Sequence, residues 1–236
     1  MARWGRARRL MTVGPRARVL DLGCAFGYGT RLLARDQHVY GRDLSPAYVE
    51  RARRALPQVE FTCGPAEELP YASGWFDAVV MLDVLEHLPE PAKAITELSR
   101  VIRPGGELIL SVPHRGLLAS FDSLNLYRRI FRDTEPAPTD DPSWPASPYH
   151  RHFGLQELDE MLAPCFRHEA AQYTGLGLAE LINLLLLIVV LRWMHKPKLF
   201  GTLQYLYFAA YIVEDELSVG RLSYHVLTRY RRAEGS

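Results

Sequence analysis

A glycine-rich turn between an apolar run and a helix contains the first residues of this sequence that could do chemistry. The stretch VLDLGCAFGYGT, residues 19–30, places Asp21 beside a turn that contains Gly23 and Gly27. Its spacing differs from the dinucleotide fingerprint Gly-x-Gly-x-x-Gly, and it lacks the Lys and Ser/Thr of a phosphate-binding P-loop. The two glycines can adopt positive φ and leave room for a ligand near the backbone. The carboxylate favours a cationic ligand over a phosphate.

A second carboxylate follows at a position that suits a sugar. Asp43 comes 22 residues after Asp21, at the end of the second predicted strand. From there a carboxylate can accept hydrogen bonds from both hydroxyls of a ribose. A nucleoside with a cationic, phosphate-free tail, such as S-adenosylmethionine, satisfies both carboxylates and the turn. In the competing interpretation Asp43 only caps the next helix, although Ser45 already supplies a cap.

The elements that must position these residues alternate between strand and helix. This alternation predicts a parallel sheet with helices on both faces, which binds ligands at the carboxyl ends of its strands. The predicted strands cover residues 18–22, 38–41, 59–62, 76–82, 107–112, 166–173 and 222–230. The predicted helices cover residues 30–35, 47–55, 90–101 and 155–162, and Pro-Gly-Gly at 104–106 predicts a turn.

Four segments, in this order, resemble class I S-adenosylmethionine-dependent methyltransferases, in particular those acting on small molecules. They are VLDLGCAFGYGT, GRDLSP, CGPAEELPYASGWFDAVVMLDVLEHL and RVIRPGGELILSVP, all within residues 16–114. The resemblance implies a Rossmann-like α/β fold, a seven-stranded doubly wound sheet with its last strand antiparallel. It also implies S-adenosylmethionine as cofactor and S-adenosylhomocysteine as product. We expect one domain over 1–236, with a cofactor-binding half (1–113), a loop and helical, apolar substrate-side insertion (114–221) and a final strand (222–230).

The resemblance also implies which residues contact the cofactor. Asp21 and Gly23 would hold the methionine end, and Asp43 the ribose. Leu44 would lie against the adenine, and Leu82 would supply backbone near the methionine. The complete expected set is Asp21, Gly23, Cys24, Ala25, Gly27, Asp43, Leu44, Ala66, Glu67 and Leu82. Ala25 replaces the usual middle glycine, and Pro65 replaces an acid that often pairs with the adenine amine. Glu67 or a backbone carbonyl would then serve that amine.

Histidines are the candidate bases. Methyl transfer is an in-line displacement that depends mainly on positioning, and a base is needed only when the acceptor is a hydroxyl or similar acid. His87 follows the fourth strand and His114 the fifth. His150 and His152 follow a proline-rich stretch, 134–148, that predicts an ordered loop or lid. We expect catalytic candidates at His87, His114 and His150, although each could instead orient a loop or anchor the lid.

A metal site is the alternative for the segment after the fourth strand. Asp83-x-x-Glu86-His87 is similar to the Glu-x-x-Glu-His of ubiquinone-biosynthesis O-methyltransferases and small-RNA 2′-O-methyltransferases. In those enzymes a distal histidine, here His150 or His152, completes a divalent metal site. Metal-free relatives share the segment, and Asp83 is shorter than the usual Glu. No metal ligand is therefore predicted.

The C-terminal half contains two apolar stretches, 178–193 and 200–213. The first has eight consecutive apolar residues, 184–191, fewer than the ~20 that span a bilayer. Its flanks carry the residue types of an interfacial anchor, namely Arg192, Trp193, Lys196 and Lys198. The alternatives are a buried helical pair, a dimer face, or a lid that opens onto a hydrophobic acceptor or a membrane surface.

Composition limits the function classes. The net charge is +1, although six arginines and no acid occur among the first 18 residues. A solvated first helix is preferred there over a lipid- or phosphate-binding arm, and no nucleic-acid partner is expected. Three widely spaced cysteines and the absence of an apolar signal segment predict a cytoplasmic protein. The apolar stretches leave membrane association open as an alternative.

The sequence thus predicts a methyltransferase whose acceptor is a small-molecule or lipid-like compound, methylated at oxygen rather than carbon or nitrogen. Two alternatives stay open. One is a non-catalytic S-adenosylmethionine-binding protein that acts through its apolar insertion. The other is a metal-assisted O-methyltransferase. A monomer and a homodimer are equally compatible with the sequence, as is peripheral membrane contact.

Overall fold

A computed structural model of the chain describes residues 2–117, 119, 122–131 and 151–234. Within them, seven strands form one sheet in the order β3-β2-β1-β4-β5-β7-β6. The strands are β1 (Arg18–Leu22), β2 (His38–Asp43), β3 (Glu60–Cys63), β4 (Phe76–Leu82), β5 (Ile102–Pro113), β6 (Phe166–Thr174) and β7 (His225–Arg232). The pairs among β1 to β5 are parallel, whereas β7 is antiparallel to both β5 and β6. The predicted doubly wound sheet with an antiparallel last strand is confirmed.

Helices cover both faces of this sheet. They are α1 (Ala2–Leu10), α2 (Tyr28–Leu33), α3 (Pro46–Ala55), α4 (Pro91–Val101), α5 (Ser123–Phe131), α6 (Leu155–Leu162), α7 (Leu178–Leu185) and α8 (Pro197–Glu214). The start of α3 follows from its sequence, because the Ser45 hydroxyl accepts a hydrogen bond from the Tyr48 amide at 3.3 Å and Pro46 occupies the first turn.

Alternation along the central strands divides the core into two layers. Val19, Val80 and Ile109 pack with α1 and α2 on one face. Their neighbours Leu20 and Met81 pack on the other face with α4 and α6. Successive strand residues point to opposite faces, so one apolar run supplies both layers.

Two predicted strand starts, those of β5 and β7, differ from the structure by three residues or more. The predicted turn at 104–106 lies inside β5: Phe76 pairs with Ile102 and Ala78 with Glu107, so the extra residues form a bulge in which Gly105 has φ +70°. The last strand was predicted over 222–230, but Gly220–Leu222 forms a 3-10 turn and the strand begins at His225. The predicted loop over 134–148 lies outside the described residues.

The expected solvated first helix is wrong for one side of α1. Ala7 and Leu10 are buried in the core, and Arg3 is only 4% exposed. Trp4 packs on α2, where a Cβ at Gly29 would lie 2.1 Å from its ring. Arg8 and Arg9 remain exposed. The helix therefore has an exposed arginine-rich side and a buried side that contacts the sheet.

The two C-terminal apolar stretches form a helical pair. A π-helix, Leu186–Trp193, continues α7, and both pack against α8. Large apolar side chains remain exposed on the pair, including Leu185, Leu206 and Val213. A fully buried helical pair is therefore the wrong interpretation. Among the described residues, no helix combines the length and apolar character needed to cross a membrane.

Candidate cofactor site

A cavity of about 530 Å³ opens where β1, β2, β3 and β4 end. The parallel register that aligns Leu22 with Arg42 and Met81 brings these ends to one edge of the sheet. The predicted site residues that line the cavity are Gly23, Ala25, Asp43, Leu44, Ala66, Glu67 and His87. The sequence-derived segments thus converge on one concave site of a size suited to a small ligand.

Five other predicted residues do not line this cavity. They are Asp21, Cys24, Gly27, Leu82 and His114. His150 lies outside the described residues. Asp21 and Cys24 are buried beneath the turn, and Gly27 opens α2.

Asp21 is a fully buried carboxylate with one unused oxygen. Its Oδ2 accepts a hydrogen bond from the Thr30 hydroxyl at 2.5 Å, whereas Oδ1 has no hydrogen-bond partner among the described residues. Burial raises the pKa of Asp21 to about 7, and the charge of Asp43 adds to this against the Thr30 hydrogen bond. A buried carboxylate oxygen without a hydrogen-bond partner is costly, so it favours binding of a cationic or hydrogen-bond-donating ligand that reaches it.

The glycines of the turn are required for conformation and packing. Gly23 and Gly27 both have φ +81°, as the sequence predicts, and Ala25 has φ +43°. A Cβ at Gly23 would lie 2.2 Å from Val84 Cγ2, on the loop after β4. The small residue therefore makes room for a neighbouring side chain of the protein, which is a different reason from the predicted approach of a ligand.

The Asp43 carboxylate accepts hydrogen bonds from two backbone segments, the glycine-rich turn and the start of α3. Its Oδ2 accepts from the Ala25 amide at 2.8 Å, and its Oδ1 accepts from the Ser45 amide at 2.9 Å. Each oxygen keeps a second lone pair. Asp43 thus supports the turn and the start of α3, and it still faces the cavity.

Sequence patterns missed Arg42, which supports the loop after β3. Its guanidinium donates to the carbonyls of Pro65 at 3.1 Å and Glu68 at 2.7 Å. A Cβ at Gly64 would lie 2.4 Å from Arg42 Nη2. Burial lowers the pKa of Arg42. A lone arginine within a strand gives no signal in the sequence that would reveal this role.

Glu67 lines the cavity and carries an oxygen that has no hydrogen-bond partner among the described residues. This oxygen, Oε1, is buried. An unpaired buried carboxylate oxygen is costly unless a ligand donates to it. Together with Asp21, Glu67 gives the site acceptors for donor groups.

Comparison with known proteins identifies the domain. The family model described as "Methyltransferase domain" matches residues 20–110, which contain the turn, Asp43 and the segment after β4. Residues 20–110 of the chain therefore form a methyltransferase domain. The cofactor of that family is S-adenosylmethionine. The cavity of this methyltransferase domain, with its buried acceptors, fits a ligand that is cationic at one end and has amine and hydroxyl donors.

Individual relatives of the chain are also named as methyltransferases. "Probable S-adenosylmethionine-dependent methyltransferase" of Mycolicibacterium smegmatis is 34% identical over 69% of this chain and 58% of its own length. "2-methyl-6-phytyl-1,4-hydroquinone methyltransferase" of Synechocystis is 37% identical over 47% of this chain and 36% of its own. The chain thus spans under two thirds of these relatives. The fold is also that of a solved S-adenosylmethionine-dependent methyltransferase from Mesorhizobium loti, with TM-score 0.61, 17% identity and 98% of both chains covered.

The histidines of the methyltransferase domain are separated by the fold. His87 lies in the 3-10 turn Leu85–His87 and lines the cavity. His114 is buried at the end of β5, with its Nδ1 3.1 Å from the Phe153 carbonyl oxygen, and burial lowers its pKa. His152 lies against Asp122, with Nε2 3.5 Å from Oδ2. Of these three, only His87 is at the cofactor cavity.

The segment that resembles a metal site is held differently in this domain. The Asp83 carboxylate accepts from Arg3 and, at 2.7 Å, from the Ser111 hydroxyl. Asp83 itself has φ +55°, in the left-handed region. No group of three or more His, Cys, Asp and Glu side chains suited to a metal ion occurs among residues 2–117, 119, 122–131 and 151–234.

Sequence patterns also missed Arg3 as a partner of the methyltransferase domain. Beyond Asp83, its guanidinium contacts Asp215 Oδ1 at 3.0 Å, the Tyr211 hydroxyl at 2.6 Å and His225 Nδ1 at 3.0 Å. Burial opposes its charge, but Asp83, Tyr211 and Asp215 together raise the pKa of Arg3, so it stays cationic. No local pattern could reveal partners more than 200 residues away.

Proposed function

We propose that this chain transfers the methyl group of S-adenosylmethionine to the oxygen of a small-molecule, lipid-like acceptor. The observation that carries the proposal is the cavity at the carboxyl ends of β1 to β4, lined by residues of the methyltransferase domain. Because the chain spans only part of its curated relatives, the activity of the whole protein is part of the proposal.

We assign the cofactor contacts by chemistry. Asp43 faces the cavity with free lone pairs and would accept from the ribose hydroxyls, while the exposed Leu44 side chain would cover the adenine. Glu67 Oε1, which has no hydrogen-bond partner among the described residues, would accept from the adenine amine. Asp21 and Gly23 would serve the methionine end. The remaining predicted contacts, which shape the turn or flank the cavity, are Cys24, Ala25, Gly27, Ala66 and Leu82.

Bound S-adenosylmethionine supplies an electrophilic methyl group on a sulfonium. The chain's own residues would then hold the acceptor in line with that methyl group and exclude water. For a hydroxyl acceptor, His87 would take up the proton, because it lines the cavity with Asp83 and histidine is the side chain that most often serves as a general base. His114 is buried elsewhere, and His150 stays a prediction.

The acceptor class rests on two supports. The Synechocystis relative is named for a phytyl hydroquinone, a phenol-like compound with a lipid tail. In this chain α8 is linked to the cavity residue Asp83 through Arg3, and the helical pair α7–α8 exposes apolar side chains. We therefore assign an aromatic or lipid-like hydroxyl compound. The single-domain division into 1–113, 114–221 and 222–230 belongs to the same proposal.

Calorimetric titration with S-adenosylmethionine and S-adenosylhomocysteine tests the proposal. Asp43→Asn, which keeps the size and one acceptor, should weaken binding about tenfold or more, because a charge-assisted hydrogen bond is lost. Asp36→Asn is the matched control, since Asp36 pairs with Arg8 away from the cavity. Unchanged affinity of the Asp43→Asn protein would overturn the ribose assignment.

Turnover is measured separately, with hydrophobic phenols and quinols as acceptors and with and without a chelator. Methyl transfer that survives chelation supports the proposal, while loss on chelation supports the metal-assisted alternative. Tight cofactor binding without transfer to any acceptor class would identify a non-catalytic binding protein and contradict the proposed activity.

A further inference from the structure

Helix α8 has an inverted pattern, with polar groups inside and apolar ones outside. On its inner side the Tyr207 hydroxyl donates to Glu180 at 3.0 Å, and the Tyr211 hydroxyl accepts from Arg3 at 2.6 Å. On its outer side Tyr205 is 75% exposed and Val213 68% exposed. A helix that faces water shows the opposite arrangement. The outer side of α8 is thus built to contact something less polar than water.

The outer side carries an exposed stripe of mostly apolar side chains, which we define by Leu199, Tyr205, Leu206, Ile212 and Val213. All five side chains are exposed, and their spacing places them on one face of the helix. Residues 199–213 contain no charged side chain, over a length of about 22 Å. Leu181 and Leu185 extend the exposed apolar area onto α7.

A cluster of basic and aromatic residues lies at one end of the apolar stripe, where the π-helix turns into α8. We define this basic tip as Trp193, Lys196 and Lys198. Trp193 is 71% exposed and both lysines are exposed. The chain has only three lysines, and two of them are here. Neither forms an ion pair with a described residue.

The residue next to the basic tip, Arg192, packs against α5. The Arg192 guanidinium lies 4.2 Å from the centre of the Phe131 ring, and its Nη1 lies 3.4 Å from the Tyr127 hydroxyl. The adjacent arginine is therefore occupied by packing against α5. The charges that the tip presents outward are those of the two lysines.

We propose that the apolar stripe and the basic tip dock this chain on an anionic membrane surface. Tryptophan is enriched at the depth of the lipid headgroups, and lysines reach the phosphates beside it. The uncharged stripe would contact the upper acyl chains, as in helices that lie in the interface. Lysine is depleted in protein–protein interfaces, which favours a lipid over a second copy of the chain.

Membrane docking would explain where the methyltransferase encounters a hydrophobic acceptor. This part of the inference rests on the proposed function. Arg3 contacts both Tyr211 of α8 and Asp83, which lines the cofactor cavity, so one side chain connects the helix that carries the stripe with the cavity. A hydrophobic acceptor in the bilayer would then lie on the side of the molecule that carries the site.

Vesicle co-sedimentation of the full chain tests the docking. We expect binding to mixed phosphatidylcholine–phosphatidylglycerol vesicles, weaker binding to phosphatidylcholine alone, and loss of binding at raised salt. Lys196→Glu with Lys198→Glu should weaken binding to anionic vesicles about tenfold or more. Leu206→Asn should also weaken it, through the stripe. Lys93→Glu is the matched control, because it reverses the third lysine, which lies on α4 and pairs with Glu90.

The outcomes separate docking from catalysis. Vesicle binding needs no cofactor, so failed methyl transfer with retained vesicle binding contradicts only the proposed function. Equal binding to neutral and anionic vesicles, or an unchanged Lys196→Glu, Lys198→Glu protein, would overturn the docking. So would a dimer in sedimentation analysis that Leu206→Asn dissociates, with no vesicle binding, since the stripe would then belong to a second copy.

Discussion

Asp21 is a buried carboxylate that the proposed function assigns to the methionine end of the cofactor. Its Oδ1 has no hydrogen-bond partner in the described part of the chain, and burial raises its pKa to about 7. In the unfolded chain the same carboxyl titrates near 3.9. Between these values the native state binds the extra proton. The contribution of Asp21 to the free energy of unfolding is therefore complete below pH about 4 and is lost as pH rises to about 7.

This titration predicts a pH dependence of cofactor binding. The ionised form suits a cationic ligand, so affinity for S-adenosylmethionine should rise with pH up to about 7 and then level off. Asp21→Asn should bind more weakly, without this rise. Calorimetry over that pH range measures the affinity of both proteins. The difference between the two pH profiles removes the contribution of the ligand's own titration.

Thr30→Val supplies the matched control. The Thr30 hydroxyl lowers the pKa of Asp21, so its removal should move the midpoint of the rise to higher pH. Identical profiles for the native and Asp21→Asn proteins would mean that another group controls the pH dependence.

At the scale of elements, α1 and α2 depend on one close contact. A Cβ at Gly29 would lie 2.1 Å from Trp4, so Gly29→Ala must displace the indole. We expect the free energy of unfolding to fall by about 1–3 kcal/mol, the usual cost of overpacking. Urea denaturation of Gly29→Ala, Trp4→Ala and the double variant checks this. The double variant should lose less free energy of unfolding than the two single variants lose together, because the clash needs both the alanine Cβ and the indole. Strict additivity would show that the two residues do not meet.

Local signals explain which elements could be predicted. β1 and β4 are apolar runs bounded by polar or glycine residues, and Ser45-Pro46 marks the start of α3; all three occur where the sequence predicts them. The end of β2 and the segment after β3 place Asp43, Leu44 and Glu67 at the cavity, as the sequence predicts. The partners of Arg3 and Arg42 could not be predicted, because they lie on distant segments and an arginine's local pattern is the same whether it is exposed or buried.

At the scale of the whole molecule, Arg3 joins the two ends of the chain at the site. It comes from α1 and contacts Asp83 after β4, Tyr211 and Asp215 on and after α8, and His225 at the start of β7. Its side chain is 5% exposed and that of Asp215 3%. Such a pair is costly to break, because removal of one partner leaves the other charge buried.

Arg3→Met should therefore lower the free energy of unfolding by about 3 kcal/mol or more. Arg8→Met is the matched control: it removes an arginine of the same helix whose ion pair with Asp36 is exposed on both sides, and it should cost less than about 1 kcal/mol. Adding Asp215→Asn to Arg3→Met should restore part of the loss, because the orphaned charge disappears. Equal losses for Arg3→Met and Arg8→Met in urea denaturation would show that α1 is held by its apolar side alone, and that the ends of the chain are not coupled through the site.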